Sequence, residues 1–239
     1  MVFSAIPARR SLWIAAFVTL AFAALARWIR GVSVSGALAG AVVCFLIYAG
    51  AGPGGFAALV TVFALTWIAT RFGYRKKQRL GTAEKSEGRT ASQVLANLAV
   101  AAACAAIYAV VGKAASLIAM AAALSEAAAD TVSSELGQAH HATARLVTTW
   151  QEVPAGTDGG VTGIGTLGGI VGAALVGVVC ARAGVVSFPQ LRFTVVAAVL
   201  GMTADSYLGA LLERRGLLNN DWVNFLSTLI AAAVAWLLA

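Results

Sequence analysis

Charge is scarce in this chain. Of its 239 residues, 11% are Asp, Glu, Lys or Arg and 60% are hydrophobic, whereas a soluble domain carries about 25% charged residues. That excludes an ordinary water-soluble globule. Histidine is nearly absent, with His140 and His141 the two present, and cysteine is limited to three. A zinc centre on the His pair needs further ligands at matched spacing, and none stands beside it. Cys44, Cys104 and Cys180 all lie within apolar runs, which fits packing and neither a zinc site nor a disulfide set. Strand-length segments of alternating polarity are missing too, which argues against a membrane barrel. What is present is long apolar runs, and in lipid these satisfy their backbone as helices. The fold class is therefore all-α: one integral membrane domain over residues 1–239, a polytopic transmembrane helical bundle.

The runs place about eight spans, near residues 11–28, 34–51, 55–70, 94–111, 114–129, 161–181, 193–212 and 222–238. The third and fifth fall short of the roughly 20 residues that a span needs, so seven is the other count. Gly52-Pro53-Gly54-Gly55 reads as a tight turn between the second and third. Arg9-Arg10 before an apolar stretch that ends near A-F-A-A-L-A has the outline of a signal peptide. The following Trp28 and Arg30, an interfacial anchor, are those of a retained helix. Residues 1–70 are thus generic spans, 71–92 a basic cytoplasmic loop, and 93–239 a helical core.

The basic loop carries Arg71, Arg75, Lys76, Lys77, Arg79, Lys85 and Arg89. The positive-inside rule makes it cytoplasmic. Threading eight spans from there puts Arg27, Arg30, Arg145, Arg214 and Arg215 on the same side, twelve of the seventeen Lys plus Arg. Arg9, Arg10, Lys113, Arg182 and Arg192 fall opposite. The net charge of +7 is then a mark of topology, and no nucleic-acid partner is expected. The threading uses only Lys and Arg, yet it also brings all ten acids to the cytoplasmic side or to span ends facing it.

Those acids carry the functional reading. A carboxylate near the hydrocarbon core is costly unless paired, hydrated or metal-bound, so it marks a site by default. Glu126, Asp130, Ser133, Ser134 and Gly137 fall at i, i+4, i+7, i+8 and i+11, one helical face. Two carboxylates one turn apart repel unless a cation bridges them, and Mg²⁺ accepts one or two carboxylates with phosphate oxygens and waters. Close packing of small residues explains the serines and the glycine; it leaves Asp130 and Glu135 unexplained. Arg89, Gln93 and Asn97 make a second stripe, suited to guiding a phosphate or ribose, or equally to a snorkelling Arg above interhelical hydrogen bonds. Gly156-Thr157-Asp158-Gly159-Gly160 precedes a span, where glycines and a helix N-terminus offer N–H groups to phosphate; Asp158 also suits a helix cap. Asp205, Gly209 and Glu213 share a further face. Asn220, Asp221 and Asn224 open the last span, and Asn220 or Asp221 fits its cap as well.

Four motifs together resemble the plant phytyl-phosphate kinase family and its bacterial and archaeal relatives. They are A-D-T-V-S-S-E-L-G at Ala129 to Gly137, P-A-G-T-D-G-G at Pro154 to Gly160, A-D-S-Y-L-G-A-L-L-E at Ala204 to Glu213, and N-N-D-W-V-N at Asn219 to Asn224. The resemblance covers the chain from about Arg89 onward, in order and in spacing. The chain departs from the family pattern at Val132, where an aromatic is usual, and at Asp158, where Asn is usual. More distantly the layout is similar to dolichol and phytol kinases and to phosphatidate cytidylyltransferases.

The resemblance implies an Mg²⁺-dependent kinase that moves a phosphoryl group from a nucleoside triphosphate, CTP in the distant relatives, to an isoprenoid monophosphate. Asp130, Glu135, Asp205 and Glu126 would hold Mg²⁺, with the first three catalytic. Arg89, Asn97, Ser134, the Gly156 to Gly160 loop, Asn220, Asp221 and Asn224 would bind nucleotide and phosphates. A bacterial or archaeal plasma membrane, with the site facing the cytoplasm, is the expected location. A polyprenol kinase, a lipid cytidylyltransferase and a transporter with a cytoplasm-facing acidic site are the alternatives.

Overall fold

The computed structural model describes residues 9–140 and 143–239. The order of elements is α1 (Arg9–Trp28), α2 (Val34–Arg71), α3 (Tyr74–Leu80), α4 (Ala91–Val111), α5 (Ala114–His140), β1 (Thr143–Leu146), β2 (Glu152–Pro154), β3 (Gly160–Val161), α6 (Gly163–Arg182), α7 (Phe188–Leu208), a π-helical turn (Gly209–Glu213) and α8 (Asn220–Leu238).

Six of these helices are long and apolar enough to cross a membrane, with α1 a shorter apolar helix beside them. Helix α2 counts twice. A straight helix of its 38 residues would reach about 57 Å, yet Gly36 near its start and Arg71 at its end line the same cavity. The chain doubles back at Gly52, whose φ of 64° and ψ of −159° are non-helical and precede Pro53. Only glycine takes such a conformation without strain. The expected turn is therefore present, and eight passes result. The two spans that seemed short lengthen: the second arm of α2 starts just after Gly52 and runs to Arg71, and α5 continues to His140.

Helix α5 is the axis of the bundle. Residues Ile118 to Ala129 are buried without a gap, and α2, α4, α6, α7 and α8 all pack on it. Its run of alanines favours the helix and keeps the backbone within reach of its neighbours. Helices α6 and α7 meet it through glycines: on α6 a Cβ at Gly165 would lie 2.5 Å from the Ser133 carbonyl and one at Gly169 2.8 Å from that of Ala129, and on α7 a Cβ at Gly201 would lie 2.7 Å from Glu126 Cγ. Outward-facing Trp13, Phe17, Leu38, Val110 and Leu237 are exposed, as a lipid-facing surface requires.

The bundle has two distinct ends. At one, Gly54 packs on Ala183 and Val185, and the Lys113 ammonium sits 4.9 Å from the Trp236 ring centroid. At the other, Gly73 meets Ala139, Gly156 meets Thr82, and Gly159 meets Ala210. Two features depart from the sequence reading. A three-stranded antiparallel sheet, ordered β2-β1-β3, occupies the segment between α5 and α6. Its strands have two to four residues, too short for alternation to register in the sequence. The end of α7 widens into the π-turn, where an unbroken α-helix was expected.

Candidate active site

The polar end holds a cavity of about 370 Å³. Its wall takes Asp130, Ser133, Ser134 and Glu135 from α5, Arg89 from just before α4 and Gln93 and Asn97 from its first turns, Gly156 to Gly160 from the sheet segment, Asp205, Gly209 and Glu213 from α7 and its π-turn, and Asn220 and Asn224 from α8. Four motifs separated by spans thus converge on one space.

Local chemistry explains how each is held. The backbone around Arg89 is stitched to the α1–α2 linker: Ser33 N donates to Arg89 O at 2.9 Å, and Arg89 N donates to Gly31 O at 3.2 Å. Gly36 makes this possible, since a Cβ there would fall 2.1 Å from Arg89 O. The guanidinium is then aimed at α5, where Arg89 Nη2 donates to Thr131 Oγ1 at 3.3 Å. Thr90 N and Thr90 Oγ1 both donate to Gln93 Oε1, closing the first turn of α4. Gln93 Nε2 donates to Glu84 Oε2 at 3.2 Å, and Asn97 Nδ2 to Gln93 O at 2.9 Å.

The glycine loop is a β-turn system. Thr157 N and Oγ1 donate to Pro154 O, and Gly160 N donates to Thr157 O. Gly156 and Gly159 have φ of 87° and 73°, left-handed values that suit glycine. Among the described residues the N–H groups of Gly156, Asp158 and Gly159 have no backbone partner. Such free donors at a cavity wall suit an anion. Asp158 does not cap α6, because Thr162 does so by accepting from Gly165 N at 3.1 Å. Partial burial lifts the Asp158 carboxyl above its ordinary range, and Arg214 pulls it the other way.

The acids divide into three settings. Asp130 and Asp205 line the cavity and lie close enough for each to feel the other's charge, with Arg89 acting on Asp130. Glu126 lies one turn deeper on α5, 1% exposed and below the cavity wall, with Ser227 beside it. Glu135 is paired: its carboxylate accepts from Lys77. Lys77 is completely buried and also donates to Ala69 O at 3.0 Å and Thr70 O at 2.8 Å. It therefore caps the C-terminus of α2 while holding α5.

Two expectations change here. Asp221 does not line the cavity. Asn219 caps α8 by accepting from Trp222 N at 3.0 Å, which turns Asn220 inward and leaves Asp221 on the first helical turn outside the wall. Lys77, read as one cation of the basic cytoplasmic loop, is instead the buried partner of Glu135. Thr82, Thr131, Gln138, Thr162 and Ser206 also line the cavity; in sequence they are ordinary polar residues with nothing to single them out. His140 stacks on Phe72 with centroids 5.4 Å apart, at the exposed end of α5, and is not part of the wall. His141 lies outside the described residues.

Among the described residues no three His, Cys, Asp or Glu are grouped to hold a metal by themselves. The donor set still suits Mg²⁺, which completes its shell with phosphate oxygens and water. Asp205 Oδ2 and Glu126 Oε1 are buried without a hydrogen-bond partner within the protein, and such orphaned carboxylate oxygens are costly unless something joins them.

Comparison with known proteins gives the lineage. Residues 17–232 match the family described as Integral membrane protein DUF92. The chain belongs to that family. Its relatives include the uncharacterized membrane protein MJ0933 of Methanocaldococcus jannaschii, 35% identical over 75% of this chain and 74% of that protein. The uncharacterized membrane protein sll0875 of Synechocystis is 31% identical over 81% and 77%. The chloroplastic protein VTE6 of Arabidopsis thaliana is 31% identical over 88% of this chain and 66% of that protein. No solved structure matches. The family read from the motifs is the family found, and as a DUF92 member the chain is an integral membrane helical protein.

Proposed function

We propose that the protein is a membrane kinase that transfers a phosphoryl group from a nucleoside triphosphate, with CTP as donor, to an isoprenyl monophosphate such as phytyl, geranylgeranyl or farnesyl monophosphate, giving the diphosphate. One observation carries this reading: the four motifs that resemble the phytyl-phosphate kinase family converge on a single cavity walled by carboxylates, amides, free backbone N–H groups and one arginine.

The chemistry suits these residues. A monophosphate has a second pKa near 6 and is largely dianionic at pH 7, so its oxyanion attacks the terminal phosphorus of the donor without a strong base. The nucleoside diphosphate leaves with the bridging oxygen. The difficulty is bringing two anions together, and it is met by cations and fixed N–H dipoles. Asp130 and Asp205, with Glu126 beneath them, would hold Mg²⁺, which neutralises phosphate charge when bound. Gly156 to Gly160 cradle donor phosphates. Arg89 faces the acceptor phosphate, and Asn97, Asn220 and Asn224 offer amides to the nucleotide. Glu135, neutralised by Lys77, sets the shape of the wall and takes no metal in this scheme. Against a transporter, the polar cavity ends above Glu126, and the α5 residues from Ile118 to Leu124 beyond it are fully packed apolar side chains.

The test is to incubate purified protein with Mg²⁺ and each nucleoside triphosphate, offering either prenyl monophosphate or prenyl alcohol. The expected product is prenyl diphosphate, with the alcohol much the poorer acceptor. Faster phosphorylation of the alcohol would make the protein a polyprenol kinase, and a nucleotidyl-lipid product would make it a cytidylyltransferase.

A further inference from the structure

Beside the polar cavity lies a second one of about 390 Å³, between α1, both arms of α2 and the start of α4. Its walls are apolar, with Phe22, Leu59, Val62, Phe63 and Leu98 prominent among them. Glu84, Arg89, Gln93 and Asn97 line both cavities, so the two spaces adjoin at Arg89. The apolar one is basic at that end: Arg30, Arg71 and Lys85 join Arg89 there. Its inner wall is partly glycine. A Cβ at Gly40 would meet nothing within 4 Å, so the space beside it is open.

An apolar groove that ends among four cations and the single carboxylate of Glu84, next to an anion-binding cavity, has the polarity of one amphiphile: a hydrocarbon chain with a phosphate head. We propose that this groove seats the isoprenoid chain of the acceptor, with Arg89 at the junction holding its phosphate against the polar cavity. The proposal rests on the kinase reading for the identity of the head group. It adds the place of the chain, and it makes Phe22, Leu59 and Phe63 determinants of chain length. A hydrophobic chain gains by leaving water for such a groove in proportion to the area it buries, while the half-buried Arg89 guanidinium contributes a charge-assisted hydrogen bond to phosphate.

Gly40 supplies the test, since it lines the groove and an added Cβ there meets nothing within 4 Å. Gly40→Phe should lower turnover of geranylgeranyl monophosphate roughly tenfold or more relative to geranyl monophosphate, with KM for the nucleotide unchanged. Equal loss on both acceptors, or no loss on either, overturns the proposal. A second measurement does not depend on turnover. Farnesyl monophosphate with a diazirine at its tail end is photolysed with the whole protein and the adduct mapped. Adducts on Phe22, Leu59 or Phe63 support the groove. Adducts on the outer faces of α6, α7 or α8, or labelling displaced by phosphatidate but not by farnesyl monophosphate, overturn it. Labelling in the groove by a lipid that the wild-type protein never phosphorylates keeps the groove and removes the kinase reading. Turnover with labelling elsewhere does the reverse.

Discussion

Asp130 and Asp205 come from helices that are distant in sequence and face one another across one cavity. Each repels the other, so a cation or proton between them is what makes their closeness tolerable. Asp130→Asn and Asp205→Asn keep side-chain volume and remove one charge apiece. A metal ligand is worth several kcal/mol of transition-state stabilisation, so each variant should lose more than about a hundredfold in turnover while remaining folded and inserted. Near-normal activity assigns that acid to structure. Lys77 and Glu135 belong to another kind of chemistry. Removing one partner of a buried pair leaves an uncompensated charge and costs about 3–5 kcal/mol, whereas replacing both is far milder. Glu135→Gln alone should therefore lower the melting temperature in detergent more than Lys77→Met combined with Glu135→Gln does. The opposite ranking would show that the pair is solvated. His140, stacked on Phe72 away from the wall, should be dispensable: His140→Ala with His141→Ala leaves turnover of prenyl monophosphate within about twofold, a change worth under half a kcal/mol.

The glycine loop and the π-turn form one unit. Gly159 sits against the start of the π-turn, where an added Cβ would fall 2.6 Å from Ala210 N and 2.7 Å from its Cα. Those are backbone atoms and cannot swing aside. Gly159 also has positive φ. Gly159→Ala should consequently displace the loop, raise KM for the nucleotide and lower turnover, and Ala210→Gly in the same chain should not restore it. Restoration by Ala210→Gly would mean that the side chain alone was in the way. This contact also explains what the sequence conceals. The motif residues Asp205, Gly209 and Glu213 are visible as a helical stripe, but the π-turn at Gly209 packs on a loop some fifty residues earlier, and no local pattern reports that contact. Likewise the helix cap at Asn219 and the burial of Lys77 are settled by tertiary neighbours. Propensity allows Asn220, Asp221 or Asn219 to cap equally, and a lysine in a basic run looks solvated until Glu135 meets it.

At the scale of the whole molecule the bundle was legible because lipid leaves few options. Apolar runs between polar breaks become helices, and Gly52-Pro53 marks the reversal that turns α2 into two passes. The sheet between α5 and α6 was not legible, since strands of two to four residues are too short for alternation to stand out. The same threading assigns a direction. Arg27, Arg30, the basic loop, Arg145, Arg214 and Arg215 gather at the cavity end, against Lys113, Arg182 and Arg192 at the other. Such a Lys and Arg bias sets orientation, so the cavity should face the cytoplasm, where nucleoside triphosphate is available. The native thiols simplify the measurement, because Cys44, Cys104 and Cys180 are all buried and free. Glu87 and Lys113 are exposed residues at opposite ends. Cysteine at Glu87 should react with a membrane-impermeant maleimide only after cells are opened, and cysteine at Lys113 should react in intact cells. Labelling of Glu87→Cys from outside, with Lys113→Cys protected, would invert the bundle. The cavity would then open away from the nucleotide pool, and the kinase reading would lose its donor.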